Sequence, residues 1–169
     1  MTGHAILTPG LMVIMMVTGD FFAMSSTTDN VRPSDKPNAW RIDHVTIAGS
    51  VLGLCNLIFC VSILAVGRYE LHLDPEPLRT LTVIISVFSG QATFYTVRER
   101  RRLWSSRPSR WIVVSSIADV LIFVTLASRG ILMIALPIAG VAATGAAAVA
   151  FALVLDTVKV SLFRRLNLT

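Results

Sequence analysis

The chain has 169 residues, 54% of them apolar and 15% charged, with a mean hydropathy of +0.70. An ordinary soluble domain carries about 25% charge, so this is the composition of an integral membrane protein. The formal net charge of +5 sits in short segments between apolar runs, and no aromatic residues form a base-stacking platform, so the basic residues read as topology signals and nucleic acid is not a partner.

Five apolar runs, bounded by charge and proline, lie near the roughly 20 residues that cross a bilayer core: 6–27, 45–66, 78–97, 111–128 and 131–155. The expected fold is all-α, a single bundle of five transmembrane helices in one domain, with no soluble catalytic domain. Twelve Lys and Arg fall on one side of this arrangement, and Arg68, Arg79 and Arg129 on the other. By the positive-inside rule the N-terminus is outside, the C-terminus cytoplasmic, and the chain a multi-pass protein of the inner (plasma) membrane.

Met1 to His4 bring no Lys or Arg ahead of the first run, and no cleavage pattern follows it, so no signal peptide is expected. A start with about five residues before a helix suggests the end of something longer. The first run carries Asp20, and a carboxylate in the middle of a spanning helix costs about 2.5–3.5 kcal/mol on insertion scales, which makes it the first candidate for function. Met16, Val17, Ala23 and Met24 surround it on the helix wheel, an apolar collar expected to face the bundle interior. Ser25 to Thr28 and the proline-punctuated basic stretch from Arg32 to Arg41 form the aqueous exit.

The second run holds Gly49 and Gly53, a small-xxx-small spacing suited to close helix packing, and Asn56, which needs a partner if it faces inward. Cys55 and Cys60 are about 140° apart on a helix and cannot pair with each other. His4, His44 and His72 show no metal-ligand spacing, so no metal site is expected. In the third run Gln91 and Tyr95 share a face suited to interhelical hydrogen bonds, with Ser86 and Ser89 nearby.

Arg98, Arg100, Arg101 and Arg102, followed by Trp104, form a basic cluster expected to contact anionic headgroups. Asp119 in the fourth run, preceded by Ser115 and Ser116, is a second, weaker ion-binding candidate with a structural role equally open. The fifth run offers Gly140, Gly145 and an alanine-rich surface for packing, and Asp156 and Lys159 are spaced for a local ion pair. No nucleophile with its base, metal cluster or phosphate-cradling loop stands at recognisable spacing, so no catalytic residue is assigned and no cofactor is expected on this chain.

Gly19-Asp20-Phe21-Phe22-Ala23-Met24, continuing through Asp29-Asn30-Val31-Arg32-Pro33-Ser34 to Pro37-Asn38-Ala39-Trp40, resembles the sixth membrane helix and following loop of P-type cation-transporting ATPases, especially bacterial relatives of plasma-membrane proton pumps. The other four runs resemble helices seven to ten. The resemblance implies that Asp20 accepts the transported proton and that the partners are the remaining helices and cytoplasmic domains of the pump, which would handle ATP and Mg. This sequence departs from the family in having no Asp-Lys-Thr-Gly-Thr phosphorylation motif, no Thr-Gly-Glu loop and no nucleotide-binding domain, and it has Gly19 where plant and fungal pumps carry Asn. The chain alone is therefore not expected to be a functional ATPase. Two alternatives stay open: a small five-helix scaffold or accessory subunit, and the same pump family carrying a divalent cation.

Overall fold

The computed structural model describes residues 8–30, 42–99 and 102–165. Five helices long and apolar enough to cross a membrane account for nearly all of them: α1 Pro9–Ser25, α2 Ile42–Tyr69, α3 Pro75–Val97, α4 Arg110–Arg129 and α5 Ile138–Arg165. No strand occurs among the described residues. The chain is a multi-pass, all-α membrane protein.

Local chemistry sets the helix ends. Thr8 caps α1, its hydroxyl accepting from Leu11 N, and Pro9 supplies a preset φ at the first helical position. A single 3-10 turn, Ser26–Thr28, continues α1 to Asp29. Ser109 caps α4 by accepting from Ile112 N at 3.2 Å. Gly130 ends α4 at φ 68, where an added Cβ would also lie 3.2 Å from Ala135 N.

The fifth element departs from expectation at both ends. Residues 131–137 are apolar but not helical. Hydrogen bonds satisfy this connector: Leu136 N donates to Ala127 O at 2.9 Å, and Thr80 Oγ1 donates to Ile134 O at 2.8 Å. Only Leu136 of this connector is buried, and Ile131, Leu132 and Ile134 are exposed. Pro137 then precedes the first turn of α5, where a proline does no harm. At its other end α5 runs past Asp156 and Lys159 because their side chains find partners.

Contacts along the helices fix their directions. Gly67 lies against Leu81, Cys60 against Ser89, and Leu52 clusters with Ala92, so α2 and α3 are antiparallel. Thr80 meets Ile134, Phe88 meets Gly145 and Thr96 meets Ala152, so α3 and α5 run the same way. Consecutive helices thus point in opposite directions, as short connections require.

α3 is the central element. Leu81, Val83, Ile84, Ile85 and Phe88 join Phe123, Ala127, Val141 and Ala148 in the main core. A smaller cluster of Leu52, Ala92, Phe151 and Leu155 closes the α2, α3 and α5 side, where Phe59 and Phe151 stack at 4.3 Å. Gly145 allows this packing, since a Cβ there would meet the Phe88 ring at 3.4 Å. Gly140 meets only Leu136 of the preceding segment, and Gly49 and Gly53 have no atom within 4 Å of an added Cβ. Their small-residue face is turned outward.

Candidate functional site

α1 touches the bundle along one stripe. Leu11, Ile14 and Met15 pack on the main core, and Phe22 lies 4.3 Å from Phe94 of α3, ring to ring. Asp20 is on the opposite side of the helix and is exposed, with Val13, Met16, Val17 and Met24 exposed around it. The apolar collar is as expected, but the expected inward orientation is not met within the described residues. The inward stripe holds Phe22, Ser25 and Thr18, and these bulky or self-satisfied side chains pack where a carboxylate would need a partner. Thr18 Oγ1 donates to Ile14 O of its own helix at 2.9 Å.

Asp119 takes the opposite environment at the same depth. Ser25 meets Ser115 and Thr28 meets Ser109 in the antiparallel α1 and α4 pair, which puts Asp20 level with Val120, beside Asp119. Asp119 is buried, and its Oδ2 accepts from Gln91 Nε2 at 2.8 Å. Ser116 Oγ donates to Gln91 Oε1 at 2.6 Å and so fixes which way the amide faces. Ser115, the other serine expected to serve Asp119, instead donates to Ser25 Oγ at 3.0 Å. The Gln91 face therefore serves interhelical bonding.

A second polar constellation closes one end of the bundle. Arg98 Nη1 donates to both carboxylate oxygens of Asp29, at 2.7 and 2.9 Å, and Nη2 donates to Ser106 O and Oγ at 2.5 and 3.0 Å. Both side chains of the pair are buried, 3% and 8% exposed. Ser109 N adds a bond to Asp29 Oδ1 at 3.3 Å. Beside it, Lys159 is fully buried and donates to Asp156 Oδ1 at 2.7 Å, Thr96 O at 2.8 Å and Glu99 O at 3.0 Å, while Leu103 N donates to the same Asp156 oxygen. The local ion pair expected at Asp156 and Lys159 is present and also ties α5 to the end of α3.

These contacts change the reading of the basic cluster. Arg98, expected at the lipid headgroups, is turned inward, because Asp29 offers it a buried, charge-assisted partner. Sequence spacing hid this pair, since its members lie 69 residues apart. Arg102 is exposed with its guanidinium 5.6 Å from the Trp104 ring centroid. Arg100 and Arg101 lie outside the described residues.

Asn56 lines an open groove of about 480 Å³ with Gly90, Thr93, Phe94, Val97 and Arg98. Its Oδ1 has no partner within the described residues, so the expected bond inside the bundle is not made. No group of three or more His, Cys, Asp or Glu gathers for a metal among the described residues.

No family model matches the chain. It is 25% identical over 128 residues to a protein of Methanocaldococcus jannaschii described as a "Putative cation-transporting ATPase". The match covers 75% of this chain and 16% of that protein, so the chain is similar to a small part of a much longer one.

Proposed function

We propose that this chain is the C-terminal membrane part of a P-type pump, with Asp20 as the ion-accepting carboxylate and the proton as the transported ion. The observation that carries the reading is Asp20 itself: a carboxylate in the middle of a spanning helix, on a face that the other described residues leave open. Left against lipid it is costly, so the working state covers it, and the remaining membrane helices of the pump are its cover. The similarity to a cation-transporting ATPase supports this. Gly49 and Gly53 on α2, with open space around them, offer a further surface for close helix approach. Protonated, Asp20 carries no charge and can face apolar surroundings at far lower cost, which suits alternate loading and release of a proton. ATP and Mg are handled by the cytoplasmic domains of the assembled pump.

The end that holds Arg98, Arg102, Arg107 and Arg110 is cytoplasmic in this reading, following the positive-inside rule in the plasma membrane. A cysteine at Ser105 is then labelled only from the cytoplasmic side, and labelling by an impermeant external reagent overturns the orientation.

Transport is tested in a chimera with the missing half of a related pump. Asp20→Asn keeps the shape but cannot cycle a proton, so uptake into vesicles is lost while membrane insertion persists. Asp119→Asn in the same chimera has the smaller effect, because Gln91 already occupies its carboxylate. Normal proton uptake by Asp20→Asn sinks the assignment. Uptake of a divalent cation in place of protons moves the substrate class.

A further inference from the structure

We infer that the Asp29–Arg98 ion pair is the pivot of α1, pinning the basic end of the Asp20 helix to the bundle while the rest of the helix stays free to swing. The inference rests on where the polar contacts of α1 are. Ser25, Thr28 and Asp29, the last turn of the helix and the residues just past it, make bonds to Ser115, Ser109 and Arg98 on other elements. Above Ser25, among the described residues, α1 meets other elements through apolar side chains, Leu11, Ile14, Met15 and Phe22.

These two kinds of contact resist displacement differently in a bilayer. An apolar side chain that leaves a neighbouring helix meets acyl chains of similar apolarity, so little is lost. A buried ion pair has no such substitute, and separating it leaves charges unmatched in a low dielectric. Arg98 is itself held from its other side by Ser106 O and Oγ. The α3–α4 connection that carries Ser106 is tied to α5 by the bond from Leu103 N to Asp156, and Lys159 locks Asp156 to the end of α3. The anchor therefore reaches the most buried helix of the molecule. Only nine positions separate Asp20 from Asp29, most of them helical, so a tilt about this point moves Asp20 laterally without changing its distance from the basic end.

The pivot is a property of this chain alone; its use in exposing Asp20 alternately rests on the transport reading above. The first test is made on the purified chain in lipid nanodiscs, with Cys55 and Cys60 replaced by alanine and spin-label pairs at Thr27 with Thr157 and at Val13 with Ala142. All four positions are exposed. The Thr27 to Thr157 distance distribution is narrow and the Val13 to Ala142 distribution broader. Asp29→Asn or Arg98→Gln widens the first about twofold, and the double variant is no wider than either single one, the non-additivity of two residues in one contact. An unchanged width in Asp29→Asn, additive widening in the double variant, or a wild-type spread greater at the basic end overturns the pivot.

The second test uses the chimera. Asp29→Asn retains ATP hydrolysis while fewer ions move per ATP, because the helix still binds but swings without a fixed point. Proportional loss of hydrolysis and transport overturns its part in coupling. Normal transport by Asp20→Asn defeats the functional reading while leaving the spin-label result intact.

Discussion

α1 and α3 are apolar enough by composition to be interchangeable, and the fold treats them as opposites. Of the spanning window of α3, 56% is buried inside the chain; of that of α1, 6% is. α3 meets α2, α4 and α5 and carries the main core, whereas α1 leans chiefly on α4 and, through Phe22, on the rings of Phe94 and Tyr95 of α3. The carboxylates follow the same division. Asp119, on the α3 side, is buried and hydrogen-bonded, and Asp20, at the same depth on α1, faces outward. Apolarity thus admits a helix to the bilayer but does not say which helices the chain holds to itself.

The comparison breaks first at Lys159. Lys159→Ala leaves the buried Asp156 carboxylate without its cation and frees the end of α3. Removing one member of a buried pair costs about 3–5 kcal/mol. Unfolding in mixed detergent measures the loss, and a cost below about 1 kcal/mol, the level of an exposed ion pair, would show that the end of α3 is not an anchor.

Gly145→Leu comes next. The Phe88 ring stands at 3.4 Å from an added Cβ, so a longer side chain must push α5 from α3, an overpacking cost of about 1–3 kcal/mol. The same change at Gly49 or Gly53, where nothing lies within 4 Å, leaves the stability of the isolated chain unaltered. Equal destabilisation at Gly49 and Gly145 would erase the distinction between inner and outer faces.

Gln91→Leu sharpens the contrast between the two carboxylates. It removes the donor to Asp119 Oδ2 and the acceptor of Ser116 Oγ, and an unsatisfied buried group costs about 1–3 kcal/mol. Asp119→Asn in the Gln91→Leu background then recovers part of the loss, since the neutral amide is cheaper to leave unpaired. No recovery would mean that shape, rather than the hydrogen bond, sets the cost.

Run length and charge made the five helices legible in the sequence, because a spanning helix must be both long and apolar. The start of α5 was not legible, because residues 131–137 are as apolar as a helix and only the hydrogen bonds to Ala127 and from Thr80 reveal the connector. Asp20 stood out as a charge in an apolar run, yet its direction could not be read: apolar residues lie on every side of α1, and its few polar side chains, Thr18, Asp20 and Ser25, do not share one face. Spacing along one chain likewise could not find Arg98 for Asp29 or Gln91 for Asp119, since each pair joins different elements. The i, i+3 pair of Asp156 and Lys159 was visible for the converse reason.

The smallest expected effect bears most directly on α1. Met16 is 67% exposed beside Asp20 and belongs to no core cluster among the described residues. Met16→Ala should therefore change the stability of the isolated chain by no more than about 0.5 kcal/mol, the usual range for a substitution away from packed contacts. If the proposed pump helices cover the same residue in the chimera, its truncation there costs about 2–5 kcal/mol, as for a buried Met. A double measurement, one in the isolated chain and one in the assembled pump, reads the difference as burial of the Asp20 face by the partner. A large cost in the isolated chain would mean that this face is already occupied, by another part of the chain or by a second copy. A negligible cost in both would leave Met16 against lipid throughout, and the cover for Asp20 would then have to approach from the Gly19 and Ala23 side of α1.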